Sequence, residues 1–334
     1  MNHVDNANVL VQIKNLKKHF PVRRAFFSGV KPSEEFVHAV DGISFDIHDR
    51  EAISIVGESG CGKTTLARLI LRLMEPTEGT ITFDSQDLFA ATKKEMRKVR
   101  VQMQAVFQDP YASLDPKKTI LQIVSEPLSV NHVTKRGRET FERVNAALTA
   151  VGFTSPQRFL AKFPYELSGG QRQRVAMARA MAVNPRLIIA DEPVSMLDAS
   201  IRAEILNLML NLQQEFNLTY VFITHDLAVA RYVSDRMAVM YLGRIVEIGP
   251  AEDVCTKPAH PYTKALLSAL PTTNPQQRHE GVEVKGEVPS AVKIPSGCRF
   301  RPRCLYAFDK CEVEPEMIKV GEGHYAACWL VEKP

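Results

Sequence analysis

Three short stretches carry almost no polar residues: residues 52–56 (Ala52-Ile53-Ser54-Ile55-Val56), 187–190 (Leu187-Ile188-Ile189-Ala190) and 220–224 (Tyr220-Val221-Phe222-Ile223-Thr224). Runs of this length and β-branched content predict strands covered on both faces, as in a parallel sheet. A shorter run, Ala105-Val106-Phe107, reads the same way, and residues 9–13 and 43–47 read as further strands. Between them, residues 21–38 are basic, aromatic and Gly/Pro-containing, which predicts an exposed loop. Three- and four-residue spacing takes over elsewhere. Leu66, Leu69, Ile70 and Leu73 form one stripe, and Phe141, Val144, Leu148 and Val151 a second. Ile201, Ile205, Leu208, Met209, Leu212 and Phe216 form a third, with Ser200 placed to cap it. Such stripes predict amphipathic helices packing on a core. Residues 237–241, Leu242-Gly243 and residues 244–248 predict a hairpin. Buried strands alternating with amphipathic helices make the chain α/β.

From residue 109 to 164 the character is helical, which predicts a lobe set on the α/β core. Beyond Gly249-Pro250 the pattern breaks: Pro258, Pro261, Pro271, Pro275, Pro289, Pro295 and Pro302 punctuate a stretch with little regular structure. No internal repeat is visible.

Composition bounds the reading loosely. With 334 residues the chain has room for one large and one smaller domain. Apolar content of 45% and charged content of 24% are those of a globular protein. A net charge of +4 is too small to make nucleic acid the expected partner. The first residues are polar, and no apolar run approaches the ~18 residues a spanning helix needs, so the expectation is a soluble, cytoplasmic chain without signal peptide.

The chemistry enters after the strand at 52–56. Gly57-Glu58-Ser59-Gly60-Cys61-Gly62-Lys63-Thr64 fits the phosphate-cradling pattern, with Thr65 following. Its glycines let backbone N–H groups curl round phosphate oxygens, Lys63 adds a point charge and Thr64 offers a hydroxyl to Mg²⁺. Strand, loop and helix follow in the order that aims a helix N-terminus at the anion. The run at 187–190 ends in Asp191-Glu192, placing two acids where open α/β sheets bind ligands. Gln108 and His225 also follow apolar runs, and Asp198 lies six residues beyond Glu192. A second Gly-rich string, Leu167-Ser168-Gly169-Gly170-Gln171, lies about a hundred residues after the first.

The order of these motifs resembles the nucleotide-binding subunit of ABC transporters over roughly residues 9–250. That resemblance implies a P-loop NTPase cassette: a mostly parallel sheet core, an antiparallel β part and a helical subdomain at about residues 109–176. It implies that Lys63 and the loop amides hold the phosphates of ATP, while Thr64, Gln108 and Asp191 serve Mg²⁺. Glu192 would be the catalytic base and His225 would sense the γ-phosphate. Leu167, Ser168, Gly169, Gly170 and Gln171 would meet the ATP of the opposite subunit, and Asp198 would link the two sites across that interface. Phe20 is the first choice for stacking on adenine, with Phe26, Phe27 and Phe36 as competitors. No motif position is degenerate.

Residues 256–334 form a separate expectation, a small irregular C-terminal domain after a nucleotide-binding domain at 1–255. Cys298, Cys304, Cys311 and Cys328 are separated by five, six and sixteen residues, which fits neither a zinc knuckle nor a common ferredoxin run. A cytoplasmic location disfavours disulfides and favours a metal or cluster, Zn²⁺ or iron–sulfur, with unligated thiols as the remaining alternative. His260-Pro261-Tyr262-Thr263-Lys264-Ala265-Leu266-Leu267 followed by Pro-Ser-Gly-Cys is similar to the C-terminal region of oligopeptide and dipeptide permease ATPases. That likeness implies a [4Fe–4S] cluster on the cysteines. The alternating Arg299, Arg301 and Arg303 read as a solvated face or subunit contact. Cys61 reads as a small loop residue and Cys255 as packing near the domain junction.

The function implied is ATP hydrolysis driving peptide import. The partners implied are a second ABC ATPase subunit, two transmembrane permease subunits and an extracytoplasmic substrate-binding protein, with the chain peripheral on the cytoplasmic membrane face. Oligosaccharide or nickel cargo is an alternative within that role. A cysteine-cluster redox or nucleic-acid module regulated by ATP is the alternative of another class.

Overall fold

The computed structural model describes residues 8–22, 35–135, 137–270 and 284–332. In chain order the first elements are β1 (Val9–Pro21), β2 (Phe36–His48), β3 (Ala52–Val56), α1 (Lys63–Ile70), β4 (Glu78–Phe83) and β5 (Gln86–Asp87). Then come α2 (Lys93–Gln102), β6 (Met103–Val106), α3 (Pro110–Ser113), α4 (Ile120–Val130), α5 (Arg138–Ala150) and α6 (Gly169–Met181). The middle of the chain continues with β7 (Leu187–Asp191), α7 (Ala199–Phe216), β8 (Thr219–Thr224), α8 (Leu227–Val233), β9 (Arg236–Tyr241) and β10 (Arg244–Pro250). The last elements are α9 (Ala251–Thr256), α10 (Pro261–Ser268), β11 (Ile318–Gly321) and β12 (His324–Ala326). The chain divides into two compact units, described in turn.

The first unit holds Gln86–Phe222 with His48–Ala52 and the described part of the N-terminus. Its strands run β8-β7-β6, with β6 parallel to β7 from Met103↔Leu187 to Val106↔Ala190. Every residue of β7 is buried, as the apolar run predicts. Burial of each such Ile or Leu stabilises by roughly 1.5–3 kcal/mol relative to exposure. Helices α4, α5 and α6 pack together as the lobe, and α4 opens on a reciprocal capping box between Thr119 and Gln122. Helix α5 buries Thr140, Val144, Ala147 and Leu148, whereas Phe141 is exposed, so the stripe is turned one residue from the expected face. Helix α7 buries Ile205, Leu206, Met209 and Leu212. It is capped at Asp198 rather than Ser200, and Phe216 at its end is exposed.

The second unit holds Val11–Ile47, Ile53–Ser85 and Ile223–Pro334. Strand β3 pairs parallel with β9 from Ile53↔Arg236 to Val56↔Val239. Strand β10 pairs antiparallel with β9 across Leu242 and Gly243, both at positive φ, which is the two-residue hairpin the sequence predicts. Strands β12 and β11 then continue that edge. A separate antiparallel sheet contains β2, β1 and β4 in that order. Strands β1 and β2 are longer than the runs at 9–13 and 43–47, reaching Pro21 and starting at Phe36. Of the predicted loop, residues 23–34 lie outside the described residues, and with them Phe26 and Phe27. Among the described residues, no helix is long and apolar enough to cross a membrane.

The C-terminal stretch gains its order by packing on this second unit. Tyr262 and Phe300 are buried in one apolar cluster with Val56, Val239, Tyr241 and Leu242, and Cys255, Cys298 and Cys304 pack against it.

Candidate functional site

Strand β3 ends at the phosphate loop, and Gly62 caps α1 at φ +111°. A Cβ there would lie 1.9 Å from the Ala39 carbonyl oxygen, so only glycine lets the loop enter the helix. Lys63 is buried, and its Nζ donates to the carbonyls of Gly57 at 2.7 Å and Glu58 at 2.9 Å. The loop therefore already turns its cation inward. Thr64 and Ser59 are exposed and Thr65 is half-buried. Cys61 is buried, and burial pushes its thiol pKa up. Phe20 is exposed near the end of β1, with the Lys18 ammonium 5.2 Å from its ring centroid. His225 is exposed just past β8. All of these belong to the second unit, except that most of β8 lies in the first.

In the first unit, the parallel pair β6 and β7 brings two predicted residues together. The Gln108 side-chain amide donates to Glu192 Oε2 at 2.8 Å. Asp191, the last residue of β7, is buried. Glu192 takes φ +47°, a left-handed backbone that costs a non-glycine residue on the order of 1–3 kcal/mol. That turn points the chain out of the strand at the carboxylate.

The Leu167–Gln171 string has a local structural reason that reading it as a phosphate-facing loop misses. Ser168 is the N-cap of α6 and accepts from the Gln171 N–H at 3.3 Å, while Gln171 Oε1 accepts from the Ser168 N–H at 3.1 Å. This S-x-x-Q capping box was legible in the sequence. Leu167 is buried. Gly170 is required by space: a Cβ would lie 2.8 Å from Ile201 Cγ2 on α7. Asp198 is exposed at the start of that helix. The lobe is braced by Arg179, whose guanidinium donates to the Ser113 carbonyl at 2.6 Å.

The four C-terminal cysteines converge. Cys298, Cys304, Cys311 and Cys328 line one small enclosed space with Phe300, Tyr306 and Trp329. None is in a disulfide. Burial pushes the thiols of Cys298 and Cys328 up to about 11, and that of Cys304 up as well. Among the described residues, the one set of three ligating groups within 4.8 Å of one another is His19, His38 and Asp41. Its Asp41 is held by Arg299 and by His19 Nε2 at 3.1 Å. The thiol array is therefore wider than the tetrahedron of a single Zn²⁺, where Zn–S of about 2.3 Å sets sulfurs under 4 Å apart.

The arginine triplet overturns the reading as a solvated face. Arg299 is buried, donating to the carbonyl of Leu242 and to Asp41 Oδ2. It holds the Asp41 carboxyl down at about 2: burial pushes that value up, and the Arg299 bond and charge outweigh it. Arg303 makes a forked pair with Glu58 in the phosphate loop, at 3.0 and 3.3 Å. Arg301 alone keeps the expected character, pairing at 2.9 Å with the exposed Glu312. Sequence reasoning also missed Tyr262, whose hydroxyl accepts from the Glu58 N–H at 2.9 Å.

A phosphate loop after a buried parallel strand, an acidic strand end joined to a Gln, and a capped Gly-Gly helix start define an ATP-binding cassette. Comparison with known proteins agrees. The ABC transporter family model matches residues 40–195, and that of the oligopeptide/dipeptide transporter C-terminal region matches residues 246–311. The oligopeptide transport ATP-binding protein AppF of Bacillus subtilis is 46% identical, covering 97% of this chain and 98% of that protein. The dipeptide transport ATP-binding protein DppF of Haemophilus influenzae is 43% identical over 99% of both. A dimeric, post-hydrolysis structure of the ATP-binding cassette MJ0796 with ADP and Pi superposes with a TM-score of 0.60 at 33% identity, covering 72% of this chain and 98% of that one. The chain belongs to the ATP-binding proteins of oligopeptide and dipeptide ABC transporters.

Proposed function

We propose that this chain hydrolyses ATP to drive the import of dipeptides or oligopeptides through a membrane permease. The geometry supporting it is the 2.8 Å bond between Gln108 and Glu192 at the ends of adjacent parallel strands. The peptide cargo rests on the match of residues 246–311 and on the near full-length likeness to transport subunits. On this reading residues 1–255 are the nucleotide-binding domain, with the helical subdomain at about 109–176, and residues 256–334 the C-terminal domain.

Lys63 meets the phosphates, exchanging loop carbonyls for a stronger anionic acceptor, beside amides of Gly57 to Thr65 other than that of Glu58, which Tyr262 takes. Thr64, Gln108 and Asp191 are hard oxygen donors of the kind Mg²⁺ takes, and the ion would neutralise charge developing between the β- and γ-phosphates. The Gln108 amide orients the Glu192 carboxylate, which polarises a water. The water oxygen attacks the γ-phosphorus, the bond to the bridging oxygen breaks, and the proton passes to Glu192. His225 contacts the γ-phosphate, and Phe20 or Phe36 stacks on adenine. The capping box on α6 leaves the Gly169 and Gly170 N–H groups to face ATP on a second ATPase subunit, with Asp198 at that interface. Two transmembrane subunits receive the motion at the cytoplasmic membrane face, and an extracytoplasmic binding protein delivers the peptide.

The cysteines fit a [4Fe–4S] cluster better than Zn²⁺. Their donors are all soft thiols around one space, spread wider than a single ion holds. Bound, the cluster would staple a stretch that has little core of its own.

The test is reconstitution of the chain with its membrane partners in vesicles containing ATP. Peptide uptake that stops with Lys63→Ala supports the reading; uptake unchanged by that substitution, or sugar or nickel uptake in place of peptide, overturns it.

A further inference from the structure

Glu58 is the second residue of the phosphate loop, and the C-terminal region holds it from two sides. Its N–H donates to the hydroxyl of Tyr262, at 2.9 Å. Its carboxylate takes the fork of Arg303, whose side chain is only 11% exposed. Neither residue floats. Tyr262 is buried against Tyr241, with ring centroids 4.6 Å apart, and against Phe300 at 5.5 Å. Its helix, α10, is capped by His260, whose Nδ1 accepts the Tyr262 N–H at 3.0 Å. The Arg303 guanidinium lies 5.9 Å from the centroids of both Tyr241 and Phe300.

The turn that carries Arg303 is set by the cysteine site. Cys298 opens it and Cys304 closes it. The Cys298 N–H donates to the Cys311 carbonyl at 3.0 Å, and the Arg301 N–H donates to the Cys298 carbonyl at 3.0 Å. From the same turn Arg299 reaches Asp41 and Leu242, next to the residues that confine the loop: Gly243 accepts the Asp41 N–H at 2.9 Å and itself donates to the Cys61 carbonyl at 2.9 Å. One short turn thus braces the phosphate loop at both its start and its middle.

The loop needs such a brace. Its function is to present several N–H groups in one curvature, and a loop that samples others loses affinity by the fraction of time it is wrongly shaped. Bidentate pairing fixes direction as well as distance, and the aromatic rings beside Arg303 hold its guanidinium in place.

We propose that Tyr262 and Arg303 are positioning residues for the nucleotide site, holding the phosphate loop through Glu58, so that the C-terminal cysteine-bearing region sets how tightly ATP binds. This rests on the reading of the loop as an ATP site. Neither residue touches the reacting atoms; both act through Glu58.

The test uses the full-length chain and a fluorescent ATP analogue with Mg²⁺. Wild type must bind the analogue; if it does not, the ATP-site reading fails before this proposal is reached. Given binding, Tyr262→Phe, which keeps the ring and its packing, and Arg303→Ala each weaken affinity by about five- to thirty-fold, the span set by loss of one neutral or one charge-assisted bond. Arg303→Lys recovers only part, since a lysine lacks the fork. KM for ATP rises more than kcat falls. The doubly substituted Glu58→Ala/Arg303→Ala chain is no weaker than the worse single variant, and alkylation of buried Cys61 quickens in each. Affinities within two-fold of wild type for folded Tyr262→Phe and Arg303→Ala overturn the proposal. So do additive losses in the Glu58/Arg303 cycle, which would place the effect of Arg303 elsewhere.

Discussion

Gln108 donates its side-chain amide to Glu192, 84 residues further along the chain, at 2.8 Å. The bond ties the residue just past β6 to the carboxylate just past β7. Glu192→Gln removes the carboxylate while keeping the shape, and turnover should fall at least about a hundred-fold, the usual contribution of a general base. Bound ATP should persist and accumulate a closed dimer. ATPase rate and gel filtration with ATP check this; wild-type turnover would exclude Glu192 as the base. Gln108→Ala removes one bond that orients the carboxylate, and should lower kcat with little change in ATP affinity.

Ser168 and Gln171 cap α6 reciprocally. Ser168→Ala should therefore cost about 1 kcal/mol of stability, the worth of an N-cap side chain. ATP-dependent dimerisation should suffer as well, because the Gly169 and Gly170 amides lose their fixed presentation. Denaturant melts and dimerisation measured on one sample separate the two effects. A stability loss with dimerisation intact would confine Ser168 to capping.

The junction to the C-terminal region is acid-sensitive by construction of its hydrogen bonds. Burial holds His260 down to about 4, and its Nδ1 can accept from Tyr262 only while neutral. The folded state then binds fewer protons than the unfolded chain between about 6.5 and 4, so stability is full above that window and is lost as pH falls through it. Glu247 adds to the loss below about 4.5. Burial pushes its carboxyl up, but the bonds from His324 at 2.8 Å and from the N–H groups of Ala259 and His260 outweigh this and hold it below its usual range. Thermal melts from pH 7 to 4 should show the decline, and His260→Asn should flatten it above pH 5.

Anaerobic purification should yield brown protein with iron and acid-labile sulfide, bleached by dithionite. Cys304→Ser should remove most of the colour. Colourless protein with one zinc per chain would favour the single ion, despite the spread of the thiols.

Much of this was readable in the residues because the signals were local. The buried strands at 52–56, 187–190 and 220–224 are apolar but for Ser54 and Thr224, and Gly243 supplies the turn between two apolar runs. The phosphate loop and the capping box are likewise set by neighbours a few positions apart. Phe141 and Leu73 mislead because apolar spacing shows that a helix has a face, while the lobe or sheet it meets decides which residues at the rim stay covered; both are exposed. Nothing local ties Arg303 or Tyr262 to the phosphate loop. Their partner Glu58 lies 245 and 204 positions away, and an arginine near prolines looks the same whether it meets water or a carboxylate. The roles proposed for Gln108, Glu192 and His225 rest on the order of the motifs.

The hairpin of β11 and β12 seals the free side of β10, pairing at Glu247↔Ala326 and Ile248↔Tyr325. A message cut short before that hairpin would strip β10 of its neighbour and bare a row of unmet amides and carbonyls, a template on which other copies could stack. Such a shortened product should associate through that bared edge, which light scattering of the purified protein would show.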